Sequence, residues 1–194
     1  DNPLDAVWAD RPAPSPAPVF LQDEALAGRS SADKRAAIAA WLEERGADAV
    51  VISALDSVAW TLNVRGSDVA RTPVALSYLV AHADGTADWF IAPEKVGPEV
   101  AAALGNAVRV RPREAFAGAL GALAGRKVAV DPERSVAAIA ELLQQAGASI
   151  ISATDPTVLP KAIKTAAEQA GHRTAQARDG AAVSRFLHWL AEHG

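Results

Sequence analysis

Short unbroken apolar runs alternate with longer amphipathic stretches through most of this chain, and that alternation constrains its fold more than any other feature. Ala49-Val50-Val51-Ile52 has the form of a strand covered on both faces. It follows an amphipathic stretch in which Ile38, Trp41 and Leu42 fall at helical spacing, with Ser30 as the expected N-cap, Asp33 three residues on and Gly46 as the stop. A short helix is expected from Asp56, an N-cap type, to about Leu62, then an irregular polar loop from Asn63 to Pro73. Val74 to His82 and Ala87 to Ile91 are β-prone runs, and Asp84-Gly85 between them supplies hairpin chemistry. Beyond the hairpin the alternation predicts helix Pro93–Leu104, strand Val108–Val110, helix Pro112–Ala124, strand Lys127–Val130, helix Ser135–Ala146 and strand Ser149–Ile151. Gly105, Gly125 and Gly147 stand where helix ends need a left-handed residue. Strands interleaved with helices imply a layered α/β unit, and the hairpin makes its sheet mixed.

The two ends read differently. In the first 21 residues, Pro12, Pro14, Pro16 and Pro18 remove amide donors and favour an extended, polyproline-like linker, with Trp8, Val19 and Phe20 available to dock on a neighbouring surface. Near the other end, Thr165 and Glu168 form a capping-box pattern. A helical stretch then runs nearly to Gly194, with Val183, Phe186, Leu187 and Leu190 on one stripe. The expected division is therefore a linker over 1–21, a domain over 22–159 and the start of a further domain over 160–194.

Composition narrows the function classes. The 194 residues carry a formal net charge of −4 with mixed signs and no basic stripe, which argues against nucleic acid as a partner. There is no cysteine, so disulfides, thiolate nucleophiles and Cys-based zinc sites are out, and a cytoplasmic origin is compatible. No apolar run approaches bilayer-spanning length, and the first five residues lack the character of a signal peptide, so no membrane partner is expected. The lack of methionine, even at position one, suggests a piece of a longer polypeptide.

Catalytic constellations are missing. His82, His172, His188 and His193 include no pair at the spacing that aims two imidazoles at one ion, and no carboxylate cluster suggests a two-metal site. There is no Gly-x-Ser-x-Gly elbow, and Gly118, Gly121 and Gly125 do not make a dinucleotide fingerprint. The polar segment that stands out is Asp56 to Asp68, in which Trp60, Asn63, Arg65, Gly66 and Asp68 converge. Two readings are open: a surface loop held by an Arg-to-Asp pair and Asn-to-backbone bonds, or a loop lining a cleft or domain contact with Arg65 free to hold a carboxylate.

That segment, Asp56-Ser57-Val58-Ala59-Trp60-Thr61-Leu62-Asn63-Val64-Arg65-Gly66-Ser67-Asp68, resembles the signature of the three-domain Xaa-Pro aminopeptidases (aminopeptidases P). Pro73 to Tyr78 continue the likeness. A second stretch is similar to the start of that family's catalytic domain: Lys161-Ala162-Ile163-Lys164, Glu168, Gly171, Arg173, Arg178-Asp179-Gly180 and Phe186-Leu187 with Trp189-Leu190. Trp8, Arg11 and Pro12 resemble the linker out of the first domain. Gln176 and Ala166 depart from the family's usual histidine and proline.

The resemblance implies a creatinase-like α/β middle domain leading into a pita-bread metallopeptidase domain. For the complete protein it implies release of an N-terminal residue preceding proline, with two divalent metal ions, usually manganese, and a homodimeric assembly. The metal ligands of that family lie beyond this segment, so the chain by itself is expected to hold no cofactor, to have no catalytic residues and to be inactive. Its expected partners are the remaining domains of the same polypeptide and, for the complete enzyme, a proline-containing peptide. The alternative is a free-standing module that interacts or oligomerises through its Pro-rich arm and terminal helix.

Overall fold

A computed structural model describes Leu4 and residues 7–194. The rest of the predicted linker, residues 1–3, 5 and 6, lies outside the described residues. In chain order the elements are β1 (Phe20–Leu21), α1 (Glu24–Ala27), α2 (Ser31–Glu44), β2 (Ala49–Ile52), α3 (Leu55–Leu62), β3 (Val64–Arg65), β4 (Tyr78–His82) and β5 (Ala87–Phe90). There follow α4 (Pro98–Leu104), β6 (Val108–Arg111), α5 (Phe116–Gly121), β7 (Lys127–Val130), α6 (Ala137–Gln145), β8 (Ser149–Ser152), α7 (Val158–Ala162) and α8 (Ala166–His193).

Six strands form one mixed sheet in the order β6-β5-β4-β2-β7-β8. β2 is its pivot: it pairs antiparallel with β4, placing Val51 opposite Val80, and parallel with β7, placing Val50 opposite Ala129. The hairpin β4–β5 is antiparallel, and the outer pairs β5–β6 and β7–β8 are parallel. All four β2 residues are buried, as an uninterrupted apolar strand requires.

Period-two alternation sorts the strand side chains onto two faces. On one face Val50, Ile52, Leu79, Trp89 and Ala129 pack against Ile38 and Leu42 of α2, Val58 and Leu62 of α3, and Val100 and Leu104 of α4. On the other, Val51, Val80, Phe90 and Val128 meet Phe116 and Leu120 of α5 and Ile139 and Leu143 of α6. Near the β6 edge, buried Asp88 accepts from His82 Nε2 at 2.8 Å, Arg109 Nε at 2.9 Å and Arg111 Nε at 2.8 Å, tying three strands together. Burial pushes the Asp88 carboxyl up, but these hydrogen bonds outweigh it and hold it below the usual range.

Several predicted boundaries move. Ser30 does cap α2 by accepting from the Asp33 amide at 3.0 Å, but Asp56 does not cap α3. The cap position is Ala54, and Asp56 lies in the first turn, where its charge suits the helix dipole. Strand β4 begins at Tyr78 rather than Val74, because the backbone around Val74 bonds to the preceding loop: Gly66 N donates to Pro73 O and Asp68 N to Val74 O. The helix expected from Pro93 splits into a 3₁₀ turn (Pro93–Lys95) and α4, since Pro98 has no amide to continue a helix and instead opens one at its first position. The helix expected from Pro112 likewise becomes a 3₁₀ turn, Arg113–Ala115, followed by α5, and α6 starts at Ala137 rather than Ser135. The left-handed stop after α6 is present at Gly147, with φ 82°.

Four short elements escape sequence pattern: β1, β3, α1 and α7. Pro160 falls inside the first turn of α7, where its missing amide costs nothing. The linker does dock in part. Val19 is buried and its amide donates to Lys95 O at 2.9 Å, while Phe20 and Leu21 pair antiparallel with Arg65 and Val64; Trp8 and Phe20 remain exposed. Helix α8 opens with a complete capping box. Past Glu168 every residue of it is exposed, Phe186, Leu187 and Trp189 included.

This division between a packed sheet and a bare helix has a measurable consequence. Leu79→Ala, at a fully buried site, is expected to lower the unfolding free energy by about 2–5 kcal/mol in urea titrations followed by circular dichroism. Leu187→Ala should shift it by less than about 0.5 kcal/mol.

Candidate functional site

The singled-out segment begins where α3 must stop. Asn63 takes a left-handed conformation (φ 52°, ψ 41°) that asparagine tolerates better than most side chains, and this turns the chain into β3. Its side-chain amide is bonded at both ends: Nδ2 donates to Arg29 O at 2.8 Å, and Oδ1 accepts from Lys34 Nζ. Lys34 also donates to Trp60 O at 2.9 Å and lies 4.5 Å from the centre of the Trp60 indole, a cation–π distance. One buried ammonium thus joins α2 to the end of α3, where its charge also meets the negative pole of that helix.

Arg65 follows on β3. Its Nη1 donates to the carbonyls of Val64 at 2.8 Å and Ala59 at 3.2 Å. The Arg-to-Asp pair of the surface-loop reading does not form between Arg65 and Asp68. Asp68 binds Lys95 instead, both side chains nearly inaccessible, and also accepts from Leu76 N at 2.8 Å. The short β1–β3 pairing directs Arg65 along α3, whereas the turn after Gly66 carries Asp68 to the 3₁₀ turn containing Lys95. Gly66 is required by close approach: a Cβ there would lie 2.8 Å from the Ala75 Cβ and 3.0 Å from the Ala75 amide nitrogen. The structure therefore brings Trp60, Asn63 and Arg65 together and sends Asp68 to a separate buried ion pair.

Facing Trp60 and Arg65 is the junction between α7 and α8. Two adjoining clefts, of about 350 and 220 Å³, lie between them and share Trp60, Lys164 and Glu168. Lys161 anchors the junction by binding Asp56 and donating to Ser57 Oγ at 3.2 Å. Glu168 closes the capping box by accepting from Thr165 N through Oε2 at 2.8 Å. A close fit of Thr165 against Gly28, where a Cβ would meet Thr165 Oγ1 at 2.4 Å, seats the α8 N-terminus on α1.

Burial shapes the charges here. Desolvation, with a smaller contribution from the Arg65 charge, pushes Lys34 down to about 8, and desolvation lowers Arg65 against the pull of Glu168. Asp56 feels desolvation upward, but its hydrogen bond to Lys161 prevails and holds it below the ordinary range. Sequence reasoning missed Lys34, though a signal was present: it lies four residues before Ile38 and eight before Leu42, on the buried stripe of α2, where a lysine needs a partner. Glu168 was legible as a cap and as part of the second stretch of likeness, but not as a neighbour of Arg65. Among the described residues, no group of three or more His, Asp or Glu side chains could hold a metal ion. His188 and His193 sit on the exposed helix, near Glu192 and the Trp189 carbonyl.

Because the folded-state value of Lys34 is depressed from 10.5 to about 8, the unfolded chain binds the extra proton between those values. Stability contributed at this position should rise from about pH 8 to pH 10.5. The urea midpoint of the wild type should therefore climb over that window relative to Lys34→Met; parallel profiles would remove the assignment.

The profile of the creatinase/prolidase N-terminal domain matches residues 10–168. A probable Xaa-Pro aminopeptidase P from Aspergillus clavatus is 35% identical over 198 residues, covering 97% of this chain and 30% of that protein. Xaa-Pro aminopeptidase 1 of Dictyostelium discoideum is 32% identical over 181 residues, covering 90% and 27%. Among solved structures, X-prolyl aminopeptidase from Caenorhabditis elegans, described as a cytosolic enzyme with a di-nuclear active site, superposes with a TM-score of 0.88 at 28% identity, covering 99% of this chain and 32% of that one. The chain spans about a third of the length of the relatives it matches. With its six-stranded mixed sheet and this match over most of its length, the chain belongs to the creatinase/prolidase N-terminal domain family.

Proposed function

We propose that this chain is the non-catalytic creatinase-like layer of an Xaa-Pro aminopeptidase, joined through α7 to the opening helix of the metallopeptidase domain. The superposition on the Caenorhabditis elegans enzyme, which runs through α8 as well as the sheet, carries this reading. In it, residues 1–21 link from a preceding domain, 22–159 form the middle domain and 160–194 begin the catalytic one. The complete enzyme removes an N-terminal residue before proline with two divalent ions, manganese by preference, and acts in the cytoplasm as a homodimer. No side-chain grouping described in this chain fits such ions, so no step of the chemistry is assigned to it.

The contribution of this layer is positional. Asn63, Lys34 and Trp60 make a rigid floor, the Asp68–Lys95 pair and Gly66 hold the loop behind it, and Arg65 borders the cleft that meets the α7–α8 junction. Trp60, Asn63, Arg65, Gly66 and Asp68 thereby serve a cleft wall or domain contact. A rigid wall of this kind is one way for a peptidase that acts at the first bond to restrict access.

A second reading, a self-sufficient interaction module, draws support from the apolar stripe of Val183, Phe186, Leu187 and Leu190, all largely exposed on α8. One set of measurements separates the two. In the complete enzyme, Arg65→Ala should alter kcat/KM for an Xaa-Pro peptide or lower Tm by several degrees, while the 194-residue chain alone neither binds manganese tightly nor cleaves the peptide. Unchanged kinetics and Tm in the complete enzyme, or proline-directed cleavage by this chain alone, would refute the positional role.

A further inference from the structure

Four cations, Arg29, Lys34, Arg65 and Lys164, border the junction clefts without a carboxylate at ion-pair distance among the described residues, and Arg29 Nη2 donates to Asp33 O at 3.4 Å. Lys34 spends its donors on Trp60 O and Asn63 Oδ1, Arg65 Nη1 bonds two main-chain carbonyls, and Lys164 Nζ donates to Lys161 O at 2.5 Å. Glu168, the carboxylate that lines both clefts, accepts from the Thr165 amide through Oε2, and its charge offsets part of the positive charge felt at Lys34 and Arg65 and leaves the cations in excess. Asp56, the other acidic group on the smaller cleft, is taken by Lys161. Like charges gathered where water is partly excluded repel one another and lose hydration, an arrangement that an incoming anion relieves.

The walls say what kind of anion. The larger cleft is faced by the Trp60 indole and by Leu159, Pro160 and Ile163, with Leu159 and Ile163 exposed at 67% and 65%. A bare inorganic anion would leave that apolar surface wet, whereas a carboxylate attached to an aliphatic body satisfies both parts. We propose that the cleft between α3 and the α7–α8 junction is a binding site for a carboxylate carried on an apolar body, with Arg65 and Lys164 holding the charge and Trp60 and Ile163 covering the body. The site rests on the reading of the Trp60–Asp68 region as a cleft surface. It adds a ligand chemistry that reading does not require.

The test uses the ¹⁵N-labelled 194-residue chain near neutral pH, where Lys34 is charged, with the Trp60 indole N–H resonance assigned through Trp60→Phe. N-acetyl-leucine presents a terminal carboxylate, the α-N-methylamide of N-acetyl-glutamate a side-chain carboxylate, and N-acetyl-leucinamide and inorganic phosphate serve as comparisons. Saturable movement of the Trp60 resonance is expected with at least one carboxylate, and which of the two binds tells a peptide terminus from an acidic side chain. N-acetyl-leucinamide and phosphate should each bind about tenfold more weakly or worse, and Lys164→Met, which lies outside the core, should weaken carboxylate binding about tenfold. Equal titration by the acid and the amide, phosphate binding as tight as that of N-acetyl-leucine, or no response to either carboxylate overturns the site. If that happens while Arg65→Ala still alters the complete enzyme, the carboxylate site falls and the positional role stands.

Discussion

Burial of β2 on both faces is the constraint on which the rest of the molecule depends. Ala49, Val50, Val51 and Ile52 have no polar side chain to offer water, so both faces need helices and both edges need strands. The antiparallel partner β4 comes from the hairpin and the parallel partner β7 from beyond α4 and α5, so the centre of the sheet joins local and distant chain. Alternation then assigns Val50 and Ile52 to the α2–α3–α4 layer and Ala49 and Val51 to the α5–α6 layer. A slip of one residue would exchange those sets, which is why the register is strongly specified.

The polar junction inherits its geometry from that core. Ile38 and Leu42 dock α2 on the sheet, and their stripe carries Lys34 beneath the end of α3, whose own position is set by Val58 and Leu62. Since the ammonium arrives at a place dictated by packing, the carbonyl of Trp60, the amide of Asn63 and the indole face are what it finds there. Its depressed proton affinity records that these dipoles compensate burial only in part. The same logic separates Arg65 from Asp68: two residues of β-pairing hold one against α3, and the turn beyond Gly66 delivers the other to Lys95.

Helix α8 obeys a different balance. Its first turn is specified with care, through the Thr165–Glu168 capping box and the contact between Thr165 and Gly28. Beyond that turn the apolar side chains on it have no neighbour in the described structure to exclude water from them. The helix is coherent as secondary structure because capping and backbone bonding are local. Its apolar stripe has no counterpart here, which accords with relatives about three times as long.

Local chemistry made much of this legible before any coordinates. Ser30 and Asp33 announced the start of α2, Asp84-Gly85 the hairpin, Gly147 the end of α6 and Ala49 to Ile52 a buried strand, each through contacts that span only a few residues. The convergence of Asn63, Arg65, Gly66 and Asp68 was also visible, as was their likeness to a known signature. Tertiary structure alone decided which of those groups meet. β1 and β3 are two residues each, too short for a period, and exist because Phe20 and Leu21 find Arg65 and Val64 across the fold. Val74 to Ser77 has strand propensity yet is held by the loop at Gly66 and Asp68, and the helix after Pro93 breaks at Pro98. Lys34 and Lys95 gained a role only when long-range packing brought them to Trp60 and Asp68, and Glu168, already legible as a cap, was placed beside Arg65 by the same packing. A side chain's partner is set by the summed burial of distant segments, and no window of neighbouring residues carries that sum.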